Sequence, residues 1–183
     1  MPDFTRILER IVPRLDDLGV RYALIGGLAV SAHGCIRDTH DIDFLVREPD
    51  LEAFDKAAIE VGYQLTERLG TMSFFELFGA GLAPMDVLHA ARPSTLEMLE
   101  RADRVPIGKR GVQVKIVQVE DLIGLKVYAI DNNPKRRSKD WNDIVMLADR
   151  FRDRLDWNRV RSYFSLFGRE GELETLRREV HGD

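Results

Sequence analysis

Residues 37–46 read RDTHDIDFLV, and the alternation within this stretch decides the fold. Ile42, Phe44 and Val46 recur with a period of two, which predicts a strand over Asp41–Val46 with those three side chains on a buried face. Asp41 and Asp43, two positions apart, then share the opposite face. Two carboxylates side by side repel each other unless a cation or a proton lies between them. Mg²⁺ takes oxygen ligands in octahedral geometry and only a few of them from protein, so an Asp-x-Asp pair together with substrate phosphates suits it. A solvated polar strand face would show the same two acids.

Upstream, Tyr22–Ile25 (YALI) is a short apolar run that predicts a buried strand. Gly26-Gly27 follows it, and Leu28–His33 resumes as a short helix stopped by Gly34. Glycines at a strand-to-helix turn let the backbone approach a ligand closely, and a helix N-terminus favours phosphate. A Gly pair at such a turn is also a common structural device. Downstream, Met85–Leu88 (MDVL) predicts a further strand, with Asp86 facing away from Met85 and Val87. A third acid turned toward the first two would hold a second metal ion or take a proton from an acceptor hydroxyl. The alternative is an ordinary exposed strand acid.

The remaining pattern frames these elements. Phe4, Ile7, Leu8, Ile11, Val12, Leu15 and Leu18 carry helical spacing, which predicts an amphipathic helix over 4–18. A helix is expected over 51–61, antiparallel strands over Tyr63–Arg68 and Ser73–Phe78, a helix over 94–101, and a hairpin from 105–107 and 112–117. From residue 119 the character is helical, with helices expected over 120–131, 137–151, 156–167 and 170–180. Asn132-Asn133-Pro134 separates the first two. The expected class is therefore α/β (α+β), a mixed sheet flanked by helices over 1–118, followed by a C-terminal helical region over 119–183 packed on the core.

Composition sets the bounds. The 183 residues are 44% hydrophobic and 32% charged, which supports a buried core and argues against disorder. Cys35 stands alone, so no internal disulfide framework forms, in keeping with a reducing cytoplasm. MPDFTRILERIVPRL at the N-terminus contains no long apolar run, so neither a signal peptide nor a membrane span is expected. The net charge is −4 but uneven: residues 1–100 hold 9 Lys/Arg against 17 Asp/Glu, and residues 101–161 hold 15 against 9. An acidic half beside a basic stretch would set a cation site near a phosphate-binding surface. Solvated helix faces would give the same asymmetry. His33, His40 and His89 lack zinc-ligand spacing. Cys35, Trp141 and Trp157 read as packing residues.

Taken together, Gly26-Gly27, Asp41-x-Asp43 in an apolar strand and a lone strand Asp86 resemble the DNA-polymerase-β-like nucleotidyltransferase superfamily. LIGGLAVSAHG, RDTHDIDFLV and the later DLIGLKVYAIDNNPKRRSKDWNDIVML look like the AbiEii/AbiGii-type (type IV toxin) nucleotidyltransferases, over about residues 20–150. The resemblance implies a nucleotidyltransferase fold and transfer of an NMP from an NTP to an acceptor hydroxyl, dependent on Mg²⁺ or on Mn²⁺ in its place. It makes Asp41 and Asp43 metal ligands and Asp86 the third carboxylate, activating the acceptor and sharing a metal. It gives the triphosphate to the backbone of Gly26 and Gly27. Arg37 and Thr39 match the R-x-T before the acids, and Arg37 has the chemistry to hold a phosphate. Lys126 matches a helix lysine that reaches the nucleotide, and Asp140 and Asp143 match a KDxxDI motif. A surface helix cation and a helix N-terminal acid are the plainer readings of Lys126 and Asp140. Leu28 stands where many superfamily members place Ser after the Gly pair, which implies a difference in how the nucleotide is held.

Three functions fit this reading. A toxin of a toxin–antitoxin system would modify RNA, tRNA or a protein hydroxyl, with Lys135–Lys139 gripping acceptor phosphates and a cognate antitoxin as partner. A small-molecule transferase of the aminoglycoside-modifying kind would use an acidic pocket for a cationic sugar. A non-catalytic, antitoxin-like nucleotide-binding protein would need no intact acid triad. The chain is expected in the cytoplasm, with NTP and an RNA, tRNA or protein acceptor as partners and no membrane.

Overall fold

The computed structural model describes residues 4–77 and 83–182. Phe78, the expected end of a strand, lies outside them. The chain divides into two units: Met1–Ala29 with Arg37–Val117, and Val30–Ile36 with Gln118–Asp183.

The first unit is built on a seven-stranded mixed sheet. Its strands are β1 (Tyr22–Ile25), β2 (Ile42–Arg47), β3 (Tyr63–Leu69), β4 (Met72–Leu77), β5 (Met85–Ala90), β6 (Asp103–Ile107) and β7 (Val112–Ile116). They lie in the order β3-β4-β5-β2-β1-β7-β6. β1 runs parallel to β7 and β2 parallel to β5, and the other neighbours are antiparallel. β2 sits in the centre. A central strand is covered on both faces, and accordingly Ile42, Phe44, Leu45 and Val46 are all fully buried while Asp43 stays half-buried.

Helices α1 (Phe4–Asp17), α2 (Gly26–Ala32), α3 (Leu51–Glu60) and α4 (Pro93–Arg101) accompany the sheet. The amphipathic stripe expected over 4–18 is realised in α1, which buries Ile7, Leu8, Ile11, Val12 and Leu15. α1 packs on β7 and α3. Beneath these helices the rings of Tyr22, Phe44, Phe54 and Phe75 follow one another edge to face at 5.8, 5.6 and 5.7 Å. Such pairs add about 0.5–1.5 kcal/mol each beyond their burial. They clamp β2 by its Phe44 side. Alternation then turns its acidic side to the other face.

The second unit is helical: α5 (Val119–Asn132), α6 (Arg137–Phe151), α7 (Trp157–Leu166) and α8 (Glu170–His181). Its core holds Leu122, Ile123, Ile144, Leu147 and Phe164, all fully buried. α7 starts where the Asp156 carboxylate accepts from the backbone N–H groups of Asn158 and Arg159, a side-chain cap. Val30–Ile36 groups with these helices: Arg150 Nε donates to the His33 carbonyl at 2.9 Å, and the His33 ring meets Phe151 edge-on. Cys35 is buried here, and burial pushes its thiol pKa up, as befits an inert packing residue. Among the described residues no helix is long and apolar enough to cross a membrane.

Candidate active site

Two neighbouring parallel strands bring the acids together. β2 and β5 pair with Ile42 opposite Met85 and Asp43 opposite Asp86. Asp41 falls just outside the ladder, since β2 begins at Ile42 rather than at Asp41 as the alternation predicts. Its carboxylate nevertheless joins the others: one oxygen from each of Asp41, Asp43 and Asp86 lies within 4.8 Å of the other two, and all three residues are half-buried. Magnesium–oxygen bonds are about 2.0–2.1 Å long, so oxygens across one ion are separated by roughly 4 Å. The donor set therefore fits a divalent cation after small side-chain rotations: hard, anionic and oxygen-only.

The glycine turn abuts the same acids. β1 pairs antiparallel with β2, and Ile25 stands opposite Asp43. Gly26 comes next, at φ +64°, in the left-handed region that side chains other than glycine's rarely adopt. A Cβ there would lie 1.8 Å from Asp43 Oδ2. A Cβ on Gly27 would lie 1.8 Å from Arg37 Nη1 and 2.5 Å from Thr39 Oγ1. Both glycines are thus needed sterically: one lets the Asp43 carboxylate approach the backbone, the other makes room for the Arg37 guanidinium and the Thr39 side chain. Thr39 is 6% exposed, and its hydroxyl donates to Asp41 Oδ1 at 2.8 Å. Asp41, Asp43, Asp86, Gly26, Gly27, Arg37 and Thr39 accordingly form one cluster.

Lys126, Asp140 and Asp143 form a second cluster, within the helical unit. Lys126 of α5 is 5% exposed and places Nζ 2.8 Å from Asp140 Oδ1 and 2.6 Å from Asp143 Oδ2, both acids belonging to α6. Arg136 Nε reaches the other Asp140 oxygen at 3.0 Å. Burial pushes the Asp140 pKa up, but the charges and hydrogen bonds of Lys126 and Arg136 outweigh it and hold the carboxyl below its ordinary range. A third buried acid of this unit, Asp121, takes a hydrogen bond from the Tyr163 hydroxyl at 2.7 Å. Sequence reading did not single out that pair. An acid in the first turn of a helix is adequately explained by the helix dipole, so nothing local marks Asp121 as buried.

Two carboxylates on neighbouring strands and a third just before β2, beside a glycine turn on a mixed sheet flanked by helices, form the site expected of a nucleotidyltransferase. A family model described as "Nucleotidyl transferase of unknown function (DUF2204)" matches residues 4–181, and the chain belongs to that family. No curated protein matches it. Among solved structures, the antibiotic-resistance factor ANT(2'')-Ia is similar over 98% of this chain and 97% of its own, at 17% identity and a TM-score of 0.64. An antigenic nucleotidyltransferase-like protein from Paracoccidioides brasiliensis is similar over 94% of this chain and 90% of its own, at 16% identity and a TM-score of 0.58. The lincosamide antibiotic adenylyltransferase LnuA, solved with lincomycin bound, covers 78% of this chain and 94% of its own, at 15% identity and a TM-score of 0.55. At these identities the likeness is one of fold.

Proposed function

We propose that the acid cluster performs metal-dependent transfer of a nucleoside monophosphate from an NTP to an acceptor hydroxyl. The observation that carries this reading is the convergence of Asp41, Asp43 and Asp86 within 4.8 Å beside the Gly26 turn. The three carboxylates would hold Mg²⁺ or Mn²⁺, which supplies charge neutralisation at the triphosphate. The backbone of Gly26 and Gly27 lines the phosphate path, and Arg37 offers a planar fork to a phosphate oxygen. Asp86 accepts the proton of the acceptor hydroxyl as its oxygen bonds the α-phosphorus; the bond from that phosphorus to the bridging oxygen breaks and pyrophosphate leaves. Positioning and charge stabilisation supply most of the acceleration in such chemistry.

For the acceptor we favour a small hydroxylated molecule. The support is the end-to-end likeness to ANT(2'')-Ia, a protein also solved in complex with adenylyl-2''-tobramycin. The second reading is a toxin of the AbiEii/AbiGii type acting on RNA or a protein hydroxyl and held by an antitoxin. It rests on the sequence resemblance and on the basic stretch Lys135–Lys139. That stretch has fewer cations to offer an acceptor than its composition suggests, because Arg136 is paired with Asp140 and Arg137 with Glu172.

One experiment separates these readings. The protein is incubated with each α-³²P-labelled NTP and Mg²⁺ in total cell extract, and label is followed into small-molecule, RNA and protein fractions, with Asp41→Asn/Asp43→Asn as control. Label in the small-molecule fraction supports the favoured acceptor, and label in RNA or protein supports the toxin reading. Equal labelling by the double variant would refute the site itself.

A further inference from the structure

Asp43 and Asp86 are fixed by the strands that carry them, since each stands in the β2–β5 ladder and Asp43 also pairs with Ile25. Asp41 has no such support. It precedes the first ladder residue, Ile42, whose N–H bonds to the Pro84 carbonyl. The Asp41 carboxylate is instead held by a side chain, that of Thr39. Its hydroxyl donates to Asp41 Oδ1 at 2.8 Å, while the Asp41 carbonyl lies farther off at 3.4 Å. A hydroxyl has one proton to give. With that proton directed at Asp41, and with the residue 6% exposed, Thr39 has no donor left for a phosphate. Thr39 is itself wedged in place: its Cβ and Oγ1 sit so close to the glycine turn that a Cβ on Gly27 would lie 2.8 and 2.5 Å from them.

We propose that Thr39 is a positioning residue for the metal site, a strut between the Gly27 turn and the Asp41 carboxylate, rather than a contact to the nucleotide. This rests on the reading of the acids as metal ligands and deepens it. A hydrogen bond to one carboxylate oxygen sets the rotation of the whole group, so the strut presents Asp41 to the ion pre-oriented. Partners that orient a metal ligand typically account for 10–100-fold in metal affinity.

The test is Mn²⁺ binding to the full chain without NTP, read by the electron paramagnetic resonance signal of free Mn²⁺. Thr39→Val, which keeps the shape and removes the donor, weakens binding by about tenfold or more. Thr39→Ser, which keeps the donor, stays near the wild-type affinity. Should Thr39→Val not fold, Thr39→Cys gives the same contrast with a weak donor of similar size. Wild-type affinity in Thr39→Val, or equal weakening in Thr39→Ser, overturns the proposal. Asp41→Asn separates the two levels of inference. If it binds Mn²⁺ as the wild type does, the carboxylates are not ligands and both readings fall. If it loses Mn²⁺ while Thr39→Val does not, only the strut falls.

Discussion

Asp43 and Asp86 stand directly opposite each other across the parallel β2–β5 ladder. Like charges facing across a sheet are destabilising, by up to about 1 kcal/mol. Asp41 adds a third carboxylate to the same few ångströms. Like charges this close repel one another, and under the proposed reading a divalent cation would relieve that repulsion.

Asp86→Asn removes one charge from that cluster at nearly constant shape. In EDTA the variant is expected to melt slightly higher than the wild type, by a gain of roughly 0.5–1 kcal/mol. Addition of Mg²⁺ is expected to raise the wild-type melting temperature by mass action and to leave the variant nearly unmoved. Nucleotidyl transfer is expected to be lost. Thermal melts with and without Mg²⁺ check this, and an undiminished Mg²⁺ response in the variant would count against Asp86 as a ligand.

How far this site could be read without coordinates depends on what fixes each residue. Asp43 and Asp86 were legible because a period of two dictates the face of a strand, and the glycine turn only in combination with those acids, since a Gly pair between a strand and a helix is by itself a common structural device. The mixed sheet followed by helices was legible from the same periodicities. The hydroxyl bond from Thr39 to Asp41 was not. It depends on the exact path of an irregular segment before β2, and no periodicity describes irregular backbone. Lys126, Asp140 and Asp143 show a different limit. Helical spacing places Asp140 and Asp143 on one face of α6, but only packing decides whether that face meets a ligand or the lysine of α5.

Lys126→Met tests that second cluster. Asp140 and Asp143 are 0% and 2% exposed, and Lys126 Nζ lies within 2.8 Å of both. Removing one partner of a buried ion pair costs about 3–5 kcal/mol, because the charge left behind has lost its solvent without compensation. Here two carboxylates lose the lysine, and Arg136 still reaches Asp140. Urea denaturation of Lys126→Met is expected to show a loss of at least 3 kcal/mol at neutral pH. The triple variant with Asp140→Asn and Asp143→Asn is expected to recover much of it. A lysine whose main task is to touch the nucleotide would behave differently, with a raised KM for NTP at unchanged stability.

His89 on β5 gives the protein a pH response away from the acids. Its Nε2 lies 2.7 Å from Ser73 Oγ, which also accepts from Arg68 Nε at 2.8 Å. With Arg68 donating to that oxygen, the serine proton is free to point at the neutral imidazole. Burial lowers the His89 pKa, the nearby Arg68 cation lowers it further, and Glu48, Asp55 and the Gly70 backbone offset this in part. The sign follows from linkage. A depressed folded pKa means the unfolded chain takes up the proton first, so the neutral ring's contribution is fully present above about pH 6.5 and is lost as pH falls from there through the folded value. Urea midpoints measured at pH 7.5 and pH 5 are therefore expected to fall more in the wild type than in His89→Gln, whose amide oxygen accepts the serine proton but does not titrate. Parallel pH dependences in the two proteins would mean that His89 takes up its proton equally in the folded and unfolded chain.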